Sequence, residues 1–453
     1  MKNIPTSAKS RRFLRSLKKV LIVNWGTIGS SYAFEVAKKK PLDIYLATTE
    51  DHPAWVKNIV PHKKMIFTNP YDSDKLITDV TRFCLKNHIN FDSILTFFEM
   101  NIIQTADLAH TLGFNFVSPQ AARKSSGNKL LMRIACRKNN IPTPNFEVFR
   151  SKEEGYSALK KIGVPAVIKP VRSGHSYGTI LIENPGKINF FRKFDQAKGQ
   201  LSSNIDEWMK YYNQYKNDFL IEEYIDGKVI SVDGLIQEGK VMICGITEFS
   251  MSPPPLFIQE AVTIPGNFNQ KTRALCFKHT RRIVKAIGLN NCAFHAEFRL
   301  TNKGPVLLEI AARPPGGNMP LAYKNAYGFD IIDMYLDICL GKKVHFSPQK
   351  PKFVIIHRSH FINDWGELTK LKGIEKLAKK PYLTIYWSRG KNNMVFPTGG
   401  VPASIIYYQI KAKSESEANR FQREVYDTLD YSLSKTPGAV KKYIRLRLGL
   451  ESP

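Results

Sequence analysis

The run Ala293-Phe-His-Ala-Glu297-Phe-Arg-Leu300, the turn-rich link Thr301-Asn302-Lys303-Gly304 and the run Pro305-Val-Leu-Leu-Glu309-Ile-Ala311 together decide the reading of this chain. Two β-prone apolar runs around such a link read as an antiparallel hairpin. Centred on Lys303, the hairpin sets Glu297 opposite Glu309 on one face of a sheet. Like charges directly opposite are unfavourable. A cation between them reverses the sign, and an oxygen pair of this kind suits Mg²⁺ held together with phosphates. The plainer reading is an exposed acidic face neutralised by Arg299. His295, two positions before Glu297, shares its face. Cys292 lies three before His295 and points the other way. Cys276-x-x-His279 and Cys292-x-x-His295 therefore imitate zinc spacing without converging on one metal.

Directly after the hairpin comes Arg313-Pro-Pro-Gly316-Gly317-Asn318. A guanidinium fork followed by a glycine pair suits a carboxylate or phosphate, although a proline-bounded loop has the same composition. Upstream, Ala166-Val-Ile-Lys169-Pro170 ends in a loop from Val171 to Gly178. Its glycines let backbone N–H groups approach an oxyanion, and Lys169 could reach the same phosphates as a point charge. No G-x-x-x-x-G-K-[ST] P-loop occurs. In Leu220-Ile-Glu222-Glu223-Tyr-Ile225-Asp226-Gly227 an acid pair sits within an apolar strand. One of the two must point inward, where a half-buried carboxylate can bind an adenine amino group. The alternative is an edge strand carrying protective charges.

The N-terminal part alternates strands and helices: KVLIVNW (19–25), DIYLATT, a helix near 75–87, SILTFF (93–98) and a helix near 101–112. That order argues for a parallel α/β sheet. Gly26-Thr-Ile-Gly29 is a fragment of a dinucleotide fingerprint. The full G-x-G-x-x-G is missing, and Thr48 and Thr49 stand where the ribose-binding acid belongs. Residues 145–345 cluster strands with short turns. After Pro348 a third region carries strands near 352–358, 382–387 and 403–411 and a helix near 414–430.

With 453 residues the chain is long enough for two to four domains. Its six cysteines are scattered, which argues against a disulfide framework and for a reducing, cytoplasmic setting. No window is long and apolar enough to span a bilayer, and the first residues lack the apolar core of a secretory signal. The net charge is +28. Part of it sits in residues 1–19 and 435–453, which raises contact with nucleic acid or an anionic membrane as alternatives to a solvated basic tail. No RNA-binding or helix-turn-helix pattern accompanies the charge.

The order Lys129, VIKP with its glycine loop, LIEEYIDG, AEFRL and LLEIAARPPGG resembles the ATP-grasp superfamily, and within it the carboxylate–amine ligases of the dipeptide, or L-amino acid, type. The resemblance covers residues 18–345 and extends to the third region as the family's C-terminal subdomain. It implies an α/β and α+β chain of several parts. These are a basic arm (1–18), a pre-ATP-grasp α/β domain (19–125), the ATP-grasp domain (126–345, with a small nucleotide-gripping subdomain at about 142–228), a C-terminal α+β subdomain (346–434) and a basic tail (435–453).

The resemblance also implies roles. Lys129 and Lys169 would hold ATP phosphates under a flap formed by Ser173, Gly174, His175, Ser176 and Gly178. Glu222 would take the adenine amino group, with the backbone of Glu223, Tyr224 and Ile225 lining the base. Glu297 and Glu309 would bind Mg²⁺, with Mn²⁺ as a substitute. Arg313 would stabilise the transferred phosphoryl group, and Lys169 is counted with it as catalytic. Gly316, Gly317 and Asn318 would line the carboxylate pocket, with His295 on the same side. The segment from Phe257 to Pro265, with Glu260, resembles the loop that meets the amine acceptor. Val229 and Ala311 depart from the family pattern, standing where many members carry a ribose-gripping Glu and an added metal-ligating Asn. The implied activity is ATP-dependent joining of a small-molecule carboxylate to an amine through an acyl phosphate. The alternatives are a carbamoyl or purine-biosynthetic ATP-grasp ligase, and a catalytically silent protein binding an anionic partner through its basic ends.

Overall fold

The computed structural model describes residues 17–26, 28–174, 176, 178–202, 218–252, 259–362, 364–390, 393–395 and 404–447. The basic arm up to residue 16, His175, Tyr177 and Phe257 lie outside them. Four sheets organise the described chain. The first is all parallel, in the order β3-β2-β1-β4, formed by β1 (Lys18–Val23), β2 (Leu42–Thr48), β3 (Met65–Phe67) and β4 (Ser93–Leu95). Its strands are short apolar runs buried on both faces, as a sheet covered by helices requires. The strand order reverses between β1 and β4, the crevice where open α/β sheets place ligands.

A small antiparallel sheet, in the order β5-β8-β6-β7, contains β5 (Phe146–Phe149), β6 (Ala166–Pro170), β7 (Ile180–Ile182) and β8 (Phe219–Glu223). It packs its own aromatic core of Phe149, Phe190, Phe194 and Phe219.

The third sheet has eight strands in the order β13-β12-β9-β10-β11-β14-β18-β16. They are β9 (Lys228–Gln237), β10 (Lys240–Met251), β11 (Gln259–Ile264), β12 (Cys292–Thr301), β13 (Gly304–Ala311), β14 (Val354–Phe361), β16 (Leu383–Ser388) and β18 (Ser404–Ala412). The third region read from the sequence thus continues this sheet, because β14 pairs with β11 and carries β18 and β16 beyond it. A last small sheet holds β15 (Gly366–Lys372), β17 (Met394–Val395) and β19 (Asp430–Ser434).

The first sheet docks on the third through the helix Ile331–Cys339. There the Ser93 hydroxyl donates to the Cys339 carbonyl (2.8 Å) and the Tyr335 hydroxyl donates to the Thr96 carbonyl (3.0 Å). One apolar core joins the first and third sheets, with members from Val20 to Ile141 and from Val229 to Ile355. Among the described residues no helix is long and apolar enough to cross a membrane.

Candidate active site

The hairpin forms, and Glu297 pairs with Glu309. The route differs from the one expected. The turn centres between Asn302 and Lys303, so that Thr301 faces Gly304 and Phe298 faces Leu307. A bulge then inserts Leu308 and restores Glu309 to its place opposite Glu297. The bulge carbonyl is used: Arg133 Nη2 donates to the Leu308 oxygen at 2.9 Å.

Around this pair the structure collects residues far apart in the chain. Lys129 opens the helix Lys129–Lys138, capped by the Asn128 side chain, which accepts from the Leu131 N–H. Its ammonium is buried, donates to the Ser173 carbonyl at the root of the loop (2.7 Å) and lies 4.0 Å from Glu309. Arg133 follows one turn later on the same helix face, fully buried. Its Nε donates to Glu222 Oε1 (2.8 Å) and its Nη2 to Oε2 (3.2 Å). Lys169, on β6, reaches the same carboxylate at 2.5 Å. Of the acid pair, Glu222 points inward and Glu223 outward, where Glu223 accepts from Asn145. The Glu222 carboxylate is therefore already held by two cations, and the inward acid serves first to anchor Lys169. Burial would raise the Glu222 carboxyl, and Arg133 and then Lys169 hold it below its ordinary value. Burial lowers Lys169 to about 8, against the pull of Glu222.

Glu99 was not anticipated from the sequence. It follows β4 at the crevice where the first sheet reverses. Arg313 Nε donates to Glu99 Oε2 at 3.1 Å, Nη2 reaches the same oxygen, and Nη1 donates to the Pro314 carbonyl. The Glu99 and Glu309 carboxyls also act on each other's charge. Burial would raise Glu99, and the Arg313 charge keeps it low. Glu309 is raised, by burial first and by Glu99 beside it, against the pull of Lys129.

His295 faces Glu297 as expected, with Nε2 at 2.9 Å from Oε1, while Nδ1 lies 2.5 Å from the buried Asp233. Burial would lower this imidazole. The two carboxylates, Asp233 foremost, raise it to about 10. Across the hairpin from His295 lies Ala311. Val229 is buried opposite Arg299 and supplies no polar group.

The glycine pair meets the N-terminal sheet. A Cβ on Gly29 would lie 2.6 Å from the Gly317 Cα, so the two loops touch backbone to backbone. Gly317 has φ +58° and faces the Tyr407 hydroxyl. His357 and Tyr386 complete that wall. The expected flap is described in part. Gly178 (φ +73°) donates its N–H to the Gln200 side chain and leaves no room for a Cβ beside Pro170.

Glu260 differs from expectation. It lies on β11, a strand between β10 and β14, and binds Arg358 at 3.3 Å. The described part of that segment, Gln259–Ile264, is a strand of the eight-stranded sheet rather than a loop.

The donor set has a definite chemistry. Two carboxylates stand in cross-strand register, and one of them, Glu309, is raised by burial first and by Glu99 beside it. That arrangement fits a hard divalent cation. Among the described residues no group of three or more His, Cys, Asp or Glu encloses a metal. The pair therefore fits an ion whose other ligands come from phosphates and water. Lys129 and Lys169 are the buried cations beside it.

Comparisons with known proteins bear on the domain and the fold. Residues 162–320 match the model of the ATP-grasp domain. The chain is 26% identical to alanine–anticapsin ligase of Bacillus subtilis over 60% of each chain. It is 25% identical to carnosine synthase 1 of Gallus gallus over 72% of this chain and 35% of that one. The chain thus spans under two thirds of the length of both relatives. The crystal structure of an L-amino acid ligase from Bacillus licheniformis superposes with a TM-score of 0.78 at 20% identity, covering 93% of this chain and 100% of that one.

Proposed function

We propose that this chain, a member of the ATP-grasp superfamily by its fold and its matching domain, is an ATP-dependent ligase that joins a small-molecule carboxylate to an amine, forming an amide or peptide bond. One observation carries the reading. Glu297 and Glu309 stand opposite each other with Lys129 4.0 Å from Glu309, and Arg313, on the loop after β13, pairs with Glu99. Buried lysines, a cross-strand carboxylate pair and a guanidinium are thus neighbours, a set suited to phosphates, a divalent cation and an anion. The similar ligases named above support the activity class.

In the proposed reaction the substrate carboxylate attacks the ATP γ-phosphorus, and ADP leaves with the electron pair of the broken P–O bond. The amine then attacks the acyl carbon of the resulting acyl phosphate. Phosphate departs, and the amine loses a proton. The chain's own contribution is positioning and charge. Lys129 and Lys169 hold phosphates, and Arg313 neutralises the transferred phosphoryl group. Gly316, Gly317 and Asn318 border the carboxylate. Glu297 and Glu309 would hold Mg²⁺, which supplies Lewis-acid neutralisation of the phosphates. The loop from Ser173 to Gly178 closes over the phosphates and keeps water from the acyl phosphate. The backbone after Glu223 lines the adenine, with Glu222 fixing Lys169 below it. The division at about residues 125 and 345 and a cytoplasmic setting belong to the same proposal. Six free cysteines, five of them buried, support the setting.

Hydroxylamine tests this reading without knowledge of the amine. Incubated with Mg-ATP and a panel of carboxylates, the protein should yield a hydroxamate in step with ADP for the right acid. ADP release independent of every carboxylate would contradict it.

A further inference from the structure

Asp233 has no part in the reading above, yet it is the most heavily bonded acid of the catalytic sheet. It lies in the middle of β9, fully buried between Val232 and Gly234. Its Oδ2 accepts from the Ser231 hydroxyl (2.9 Å), the Tyr323 hydroxyl (2.8 Å) and the Thr247 hydroxyl (3.3 Å). Its Oδ1 lies 2.5 Å from His295 Nδ1, and the other ring nitrogen lies 2.9 Å from Glu297 Oε1. A carboxylate oxygen accepts an N–H, and a ring with one carboxylate beside each nitrogen has its orientation set by both. A chain Asp233–His295–Glu297 results, and it ends on one member of the cross-strand pair.

The register explains the chain. His295 pairs with Asp233, and Glu297 pairs with Ser231, all on one face of adjacent strands. Ala311, opposite His295, offers only a methyl group, so β13 gives the ring no competing partner. Tyr323 comes from the helix Met319–Tyr327, which begins directly after Gly316, Gly317 and Asn318. One carboxylate thus ties together three strands and the helix that carries the proposed substrate loop. Placing a carboxylate fully out of water is unfavourable unless its acceptor sites are filled. Here they are filled, which makes the network rigid as well as satisfied.

We infer that Asp233 is a positioning residue: through His295 it fixes Glu297 in the orientation that takes a divalent cation opposite Glu309. The inference rests on the reading of Glu297 and Glu309 as metal ligands. Partners of this kind, standing behind a ligand, typically account for about 10- to 100-fold in metal affinity.

The test is Mn²⁺ titration of the full chain with a non-hydrolysable ATP analogue, followed by electron paramagnetic resonance, with no turnover required. Asp233→Asn and His295→Gln should each weaken Mn²⁺ by about tenfold or more. The double variant should be no weaker than His295→Gln alone, because Asp233 acts through that ring. Tyr323→Phe removes a different bond to the same Asp233 oxygen. It should lower the melting temperature while leaving Mn²⁺ affinity within about twofold of the unaltered chain. An Asp233→Asn chain binding Mn²⁺ as the unaltered one does, or a double variant whose loss is the product of the two single losses, overturns the inference. If Asp233→Asn does not fold, His295→Gln carries the test: unchanged Mn²⁺ affinity there overturns it equally. An unaltered chain that binds the analogue but takes no Mn²⁺ overturns the metal-site reading itself, and the Asp233 inference with it.

Discussion

Arg313 and Glu99 stand 214 positions apart in the chain and are joined by a half-buried ion pair, two guanidinium nitrogens on one carboxylate oxygen. Glu99 comes from the parallel N-terminal sheet and Arg313 from the loop after β13. The pair therefore fixes the guanidinium across the junction of two sheets.

A Glu99→Gln variant should lower kcat by about 10- to 100-fold, since a misplaced charge-stabilising group loses much of its effect on the transition state. The KM for ATP should stay within about twofold, because Lys129 and Lys169 do not touch Glu99. Steady-state kinetics at saturating Mg²⁺ measure both. A large rise in the KM for ATP with unchanged kcat would contradict the role given to the pair.

Glu309→Gln should raise the Mg²⁺ concentration needed for half-maximal rate by about tenfold or more, by removing one of two carboxylates available to the ion. A Mg²⁺ titration at fixed ATP reads this directly, and an unchanged midpoint would count against the ligand assignment.

The two cations on Glu222 should separate stability from activity. Arg133→Ala leaves a fully buried carboxylate with half its compensation and should cost about 3–5 kcal/mol in urea unfolding. Lys169→Ala leaves the bidentate arginine in place and should cost less. It should still abolish carboxylate-dependent ADP formation. Equal stability losses, or a Lys169→Ala chain with full activity, would contradict the division of labour.

Gly29→Ala pushes a methyl group to within 2.6 Å of the Gly317 backbone, so one loop must move. The expected effect is a rise of about tenfold or more in the KM for the carboxylate, with ATP binding retained. Calorimetric titration with an ATP analogue alongside the kinetics distinguishes this from global damage.

Acid should destabilise the C-terminal strands. Burial and the neighbouring Arg358 hold His360 near 4 in the folded chain, against an ordinary 6.5, and burial holds His357 near 3. The unfolded chain therefore binds more protons than the folded one over this window. Stability is full above about pH 6.5 and falls as pH drops toward 4, by on the order of 3 kcal/mol for His360. Urea unfolding of the unaltered chain and of His360→Asn at several pH values checks the sign: the variant should show the shallower slope between pH 6.5 and 5.

Much of this was legible in the sequence where one chemical pattern dominated. Strand–helix alternation marked the parallel sheet, and the turn between two apolar runs marked the hairpin. Even there, Glu297 met Glu309 through a bulge at Leu308 that no spacing argument contained, because a bulge depends on what its free carbonyl meets, here Arg133. The pairing that joins the region after Pro348 to β11 through β14 is a long-range property that no local pattern carries. The missed residues share a cause. Glu99 and Asp233 each look like single acids in apolar surroundings until tertiary contacts supply their partners. Arg133 left a faint signal, falling one helical turn after Lys129 on the same face.

The measurement that bears most directly on the central claim is ADP and phosphate release from Mg-ATP across a matrix of carboxylates paired with amines. The account predicts release that requires both partners of one pair and yields a product of the mass of their amide. ADP release that needs neither partner, or tight ATP binding with no release for any pair across a broad matrix, would contradict it.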